Sequence, residues 1–181
     1  MDYAILDFIQ NNLKSAFLDP VMVFISSLGN YGILWIVLTL LLLCFRKTRH
    51  TGVLMAISLA ITFVAGEVLI KNVVDRLRPF IENPEVALLI PEPASFSFPS
   101  GHTASSFAAA WILFLRSKKM GVPALILALL IAFSRLYLYV HYPSDVLAGL
   151  ILGILVAQIV WVVYKRRMFN RYDNHVIRTR Y

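Results

Sequence analysis

Apolar positions fall in long runs broken by short polar stretches. Four long runs cover about residues 33–45, 52–70, 121–138 and 146–164, and a shorter fifth covers about 103–115. At a rise of about 1.5 Å per residue, some twenty helical residues cross the roughly 30 Å hydrocarbon layer of a bilayer. The runs therefore predict membrane-spanning helices, with the first and fifth needing extra length. The first gains it by extension back through 20–27, with Gly29 and Gly32 marking a break or kink. The fifth can begin at Ser100, which places His102 inside the membrane boundary. Ahead of these, residues 3–17 set Ile5, Leu6, Ile9, Leu13, Ala16 and Phe17 on one helical face, opposite Asp7, Gln10, Asn11 and Lys14. So two-faced a segment predicts a helix over 1–18 lying in the membrane interface. The expected fold is an all-α polytopic membrane helical bundle, one integral membrane domain over 1–181. It has about five transmembrane helices plus the interfacial helix, or six if that helix crosses, and a basic cytoplasmic tail over 165–181.

Composition agrees: 59% of the 181 residues are hydrophobic, 15% are charged, and the mean hydropathy is +0.74. That is too apolar for an ordinary soluble domain. The one cysteine, Cys44, rules out an intrachain disulfide and is expected to be a small packing residue. No cysteine cluster or His-Glu-x-x-His pattern suggests a bound metal, and no glycine-rich phosphate loop suggests a nucleotide, so no cofactor is expected.

A formal charge of +7 raises the question of nucleic acid. The placement of the cations answers against it, because they gather beside the apolar runs as membrane topology requires. Under one alternating topology, Arg46, Lys47, Arg49, Arg116, Lys118, Lys119, Lys165, Arg166, Arg167, Arg171, Arg178 and Arg180 share one side. Lys14, Lys71, Arg76, Arg78 and Arg135 share the other. The positive-inside rule puts the larger group in the cytoplasm. The expected location is the cytoplasmic (inner) membrane, multi-pass, with the second group facing periplasm or extracellular space.

Three polar clusters fall on that outer face. The first is Lys71 with Arg78 and Pro79: seven residues apart, the two cations would share one face of a continuous helix, and Pro79 would end that helix. Glu67, four residues before Lys71, could pair with it. Asp75 and Arg76, between the cations, are read as structural. The second cluster is Pro99-Ser100-Gly101-His102, where Ser100 suits an N-cap and Gly101 lets an anion approach free N–H groups at a helix start. The third is Ser134-Arg135, then His141 and Asp145. Their spacing lets the carboxylate orient the imidazole, and Pro143 suits the first turn of the last helix. Taken singly, each cluster could be a snorkelling cation, a capped helix or a capping pair; together and in this order they describe a phosphate site. Between the first two clusters, residues 80–98 are rich in proline and acid and read as an outer loop, whose apolar 86–90 could dip into the interface.

These clusters resemble the three-part signature of the type 2 phosphatidic acid phosphatase family, the lipid phosphate phosphatases, whose active-site plan is shared with vanadium haloperoxidases. Every motif position of the signature is filled. The resemblance implies hydrolysis of lipid phosphates or diphosphates without a metal. It implies His141 as a nucleophile forming a phosphohistidine, Asp145 as its orienting partner and His102 as general acid. Lys71, Arg78, Ser100, Gly101 and Arg135 are implied as the phosphate cradle. The partners implied are a lipid phosphate substrate and membrane lipids. Undecaprenyl diphosphate is the first candidate, because the chain resembles compact bacterial members. Phosphatidylglycerophosphate, phosphatidic acid and lipid A 1-phosphate stay open. The readings from other classes are a headgroup-binding or transport protein and a vanadate-dependent halide oxidase.

Overall fold

The structure, a computed structural model, describes residues 1–178 and the side chains of residues 1–168. It is all-helical over these residues. Helix α1 (Asp2–Asn12) leads into α2 (Leu18–Leu28) and α3 (Ile33–Cys44). A 3-10 turn at Asn30–Gly32 joins α2 to α3, and left-handed Gly32 (φ 66°) serves as the N-cap of α3. The two helices meet at a bend of 43°, so the break expected at Gly29 and Gly32 is present. Helix α4 (Arg49–Phe63) runs through a π-helical stretch (Val64–Ile70) into the single turn α5 (Lys71–Val74), and Pro79 opens the short α6 (Pro79–Glu82). Three longer helices complete the chain: α7 (Gly101–Arg116), α8 (Lys118–Tyr137) and α9 (Pro143–Arg178). The expected basic tail begins inside α9, and its residues 179–181 lie outside the described residues.

The runs Arg49–Glu82, Lys118–Tyr137 and Pro143–Met168 are long and apolar enough to cross a membrane, and the bent pair α2 and α3 would make a fourth span. The protein is an integral membrane helical bundle. Its outer surface shows how such a chain is read by lipid: on α9, Leu147, Ile151, Leu155 and Ile159 form a stripe 47–61% exposed, while Gly149, Gly153 and Ala157 form the buried stripe. Both stripes repeat every four residues, the spacing that keeps side chains on one helical face. Cys44, expected to pack inside, is exposed at the last residue of α3, because the inward face of that helix is carried by Trp35, Thr39 and Leu42.

Helix α7 is the core element. It packs on α4, α8 and α9, and Ala104, Phe107, Ala108, Ala109, Ala110, Ile112 and Leu113 on it are buried. Its small residues allow close helix approach, the way membrane helices associate without a hydrophobic drive between them. A Cβ on Gly149 would stand 2.6 Å from the Ser100 carbonyl oxygen, and one on Gly153 would collide with that of Ala104. A second core joins Leu6 and Ile9 of α1 and Met22 of α2 to Phe80 and the corner 137–142, with Val86, Leu88 and Ile90 packed against it. The apolar part of the 80–98 loop thus turns half inward onto protein, because the corner offers it an apolar surface. Helix α1 spans only about 16 Å at its eleven residues. Leu6 and Ile9 from its apolar face are buried in that core, while Phe17 stays exposed.

Candidate active site

The first motif is built differently from the continuous helix its spacing suggested. Helix α5 stops at Val74, Asp75 takes a left-handed conformation (φ 48°), and Arg78 is extended (φ −86°, ψ 155°) ahead of Pro79. The helix therefore ends before the residue preceding proline, and Arg78 reaches its place on extended backbone. The π-helical stretch just before Lys71 also shifts its register relative to α4, a feature common at functional sites. Lys71 and Arg78 still converge: the Lys71 Nζ lies 3.4 Å and an Arg78 Nη 3.2 Å from the Ser95 hydroxyl. Both side chains are buried. Lys71 donates to both oxygens of Glu67 at 2.7 and 2.8 Å, as the four-residue spacing predicted.

Arg78 joins the first motif to the third. It donates to the carbonyls of Ser95 (2.7 Å), Phe96 (3.2 Å) and Val140 (2.7 Å), and its Nη1 lies 3.2 Å from His141 Nε2. A guanidinium has no acceptor, so the imidazole must accept through Nε2. His141 is then neutral, with its proton on Nδ1. Burial, followed by Arg78, Arg135 and Lys71, pushes its pKa well below the ordinary 6.5, in the same direction. Nδ1 stands 3.5 Å from Asp145 Oδ2 and 3.4 Å from the Ser97 hydroxyl. The imidazole thus approaches the carboxylate more loosely than a full hydrogen bond. The close partners of Asp145 lie elsewhere: the Ser97 hydroxyl donates to Oδ2 at 2.5 Å, the Tyr142 amide to Oδ2 at 2.9 Å, and Arg76 Nη1 to Oδ1 at 2.7 Å.

The second motif supplies the start of α7. Ser100 stands at the N-cap position, but its hydroxyl makes no bond to the helix backbone and accepts instead from the Thr103 hydroxyl at 3.0 Å. The Ser100 amide donates to the Asp145 carbonyl at 3.1 Å, which ties the start of α7 to the start of α9. Gly101 lies against the Glu67 carboxylate, which a Cβ at this position would displace. His102 Nε2 lies 3.0 Å from Asn30 Oδ1 at the α2–α3 bend, and Gly29 leaves room for its ring. Pro143 opens α9 as predicted.

Arg135, near the end of α8, is buried, and its Nη1 donates to the Ser26 hydroxyl at 2.5 Å. Its Nε has no hydrogen-bond partner among the described residues. A buried guanidinium N–H without an acceptor is costly, and a bound anion would satisfy it. The structure thus brings Lys71, Arg78, Ser100, His141 and Asp145 into one linked network, with Gly101 against Glu67 and His102 at the first turn of the same helix start, and Arg135 two residues ahead of the corner. Sequence reasoning missed Ser26, Asn30, Ser95 and Ser97, and read Arg76 only as structural. Serine and asparagine carry no signal of their own at such distances in the chain. Arg76, a third cation among the six residues after Lys71, did.

The PAP2 superfamily model matches residues 50–169. An undecaprenyl-diphosphatase of Sulfolobus acidocaldarius is 43% identical over 79% of this chain and 69% of its own length. The undecaprenyl-diphosphatase BcrC of Bacillus subtilis is 38% identical over 77% and 71%. Among solved structures, the transmembrane PAP2 type phosphatidylglycerolphosphate phosphatase of Bacillus subtilis superposes with a TM-score of 0.74 at 30% identity, covering 91% of this chain and 85% of that one. Motif order, sequence relatives and fold agree, and the chain belongs to the PAP2 superfamily.

Proposed function

We propose that this PAP2 lipid phosphate phosphatase hydrolyses a polyprenyl diphosphate, undecaprenyl diphosphate first, by transfer of the terminal phosphoryl group to His141 Nε2. The observation that carries the chemistry is the contact between Arg78 Nη1 and His141 Nε2. It leaves a neutral imidazole with its lone pair turned toward a buried cation, where a phosphate oxygen can exchange for it. Lys71, Arg78, Arg135 and the N-terminus of α7, with Ser100 and Gly101, neutralise the non-bridging oxygens. Nε2 attacks phosphorus, the bond from phosphorus to the leaving oxygen breaks, and His102 gives that oxygen a proton. Asp145 stabilises the positive charge that the imidazole gains, acting at Nδ1. His102 then takes a proton from water, the resulting hydroxide attacks the phosphohistidine, the N–P bond breaks, and inorganic phosphate leaves.

The two undecaprenyl-diphosphatase relatives support the diphosphate. The phosphatidylglycerolphosphate phosphatase fold keeps a glycerophospholipid monophosphate as the second reading. The site faces the periplasmic or extracellular side of the cytoplasmic membrane, a reading supported by the twelve cations gathered at the opposite ends of the spans. Five spans serve it, with α7 as the fifth and α1 in the interface. A panel of purified protein with undecaprenyl diphosphate, its monophosphate, and phosphatidylglycerophosphate tests the substrate; the diphosphate is expected to give the highest kcat/KM. Acid quench with substrate labelled at the terminal phosphate is expected to trap label on protein, and none on His141→Ala. Turnover by His141→Ala at the parent rate refutes the nucleophile.

A further inference from the structure

Arg76 stands outside the signature positions, yet it is the residue that fixes the Asp145 carboxylate. Its Nη1 donates to Asp145 Oδ1 and to the Ser144 hydroxyl, both at 2.7 Å. Its Nη2 donates to Asp2 Oδ2 at 2.9 Å, on the N-terminal helix α1. Its guanidinium lies over the Tyr142 ring, 3.9 Å from the centroid. Its carbonyl accepts from the Ser97 amide at 2.8 Å, and the Ser97 hydroxyl donates to Asp145 Oδ2. Arg76 thus controls both oxygens of the carboxylate, one through its side chain and the other through its backbone.

Asp2 closes the arrangement from the far side. Besides Arg76, its carboxylate accepts from the Ser144 hydroxyl at 2.5 Å and from the Ser144 amide at 3.2 Å. Beside it on α1, the Tyr3 hydroxyl donates to Glu82 and stands 3.0 Å from the Tyr142 hydroxyl. Two carboxylates some 140 residues apart in sequence share one planar cation. An ammonium could not serve both in this way, because only the guanidinium fork presents donors in two fixed directions.

We propose that Arg76 is a positioning residue for the reaction and that Asp2 holds it in place, so that the seating of the N-terminal helix sets the orientation of Asp145 and, through it, of His141. The proposal rests on the reading of His141 as nucleophile. If the 3.5 Å approach of Asp145 to Nδ1 is to tighten as the imidazole becomes charged, the carboxylate must already be aimed. Hydrogen-bond partners that orient metal ligands typically change affinity or activity by about 10- to 100-fold, and that range sets the scale expected here for a partner that orients a carboxylate.

The test is a kinetic cycle on purified protein in detergent, with turnover normalised to the monodisperse folded fraction. Asp2→Asn, nearly isosteric with the parent residue, is expected to lower kcat about 10-fold with KM nearly unchanged, and Arg76→Lys about 100-fold. The double variant is expected to be no slower than Arg76→Lys alone, since both act through one carboxylate, and Asp2→Glu is expected to recover part of the loss. Quenching with labelled substrate should show slowed formation of phosphoenzyme in the single variants. Parent kcat in folded Asp2→Asn and Arg76→Lys, or losses that multiply in the double variant, overturns the proposal. Absence of any phosphoenzyme in the parent under the same quench instead overturns the nucleophile reading beneath it.

Discussion

The protonation of one side chain decides whether the site can work. A phosphate cradle attracts anions, but the nucleophile proposed inside it needs a free lone pair, and burial together with three cations around His141 acts to keep it neutral. The sign of the pH effect follows. Unfolded, the imidazole takes up a proton as pH falls through about 6.5; folded, it does so at lower pH, because its pKa is depressed. His141 therefore contributes stability above that value which is lost as pH falls below it, while the folded protein keeps the imidazole neutral. The chain has four histidines, few enough to assign by single substitution. Nitrogen NMR of histidine-labelled protein is expected to show His141 still neutral below pH 6.5. Arg78→Gln should move its titration upward; a parent midpoint at or above 6.5 contradicts this account. At this scale the convergence of Lys71, Arg78, His141 and Asp145 was legible in sequence, since only a few chemistries use those types at such spacings. Ser97, the closest partner of Asp145, was not, because one serine in a loop resembles any other.

At the scale of elements, the long apolar runs became helices close to where they were expected, since backbone in lipid must satisfy its own hydrogen bonds. The departures occur where tertiary contacts override the pattern. The helix carrying Lys71 ends at Val74 and not at Arg78, which lets Arg78 turn to the Val140 carbonyl and His141. Helix α7 is short for a span and buried along most of its length, and its seat is made by glycine. Gly153→Ala is expected to destabilise the bundle by roughly 1–3 kcal/mol through overpacking, because the added Cβ meets the backbone of Ala104 and Ala108. Leu155→Ala, on the lipid-facing stripe of the same helix, serves as the control and should change little. Thermal unfolding in detergent compares the two; equal losses would mean that α9 does not pack on α7 through its glycine stripe.

For the whole molecule, the proposed site is assembled from the ends of helices far apart in sequence. Phosphoryl transfer by positioned cations and an imidazole needs no metal. Orthovanadate, which accepts the same donors as a transferring phosphoryl group, is expected to inhibit competitively, and EDTA to leave turnover unchanged. Activity lost in EDTA and restored by a divalent ion would point to another mechanism. The sequence by itself determined the solvent, the helical class and the principal chemical groups: hydropathy runs reflect local transfer from water to lipid, and charged or imidazole side chains beside them are too costly to place without use. Tertiary structure alone decided which atoms meet. The Asp2, Arg76 and Asp145 chain, the Asn30 contact of His102 and the Ser26 contact of Arg135 join residues about 70 to 140 positions apart. Such contacts depend on how helices pack, and no local period in the sequence records that.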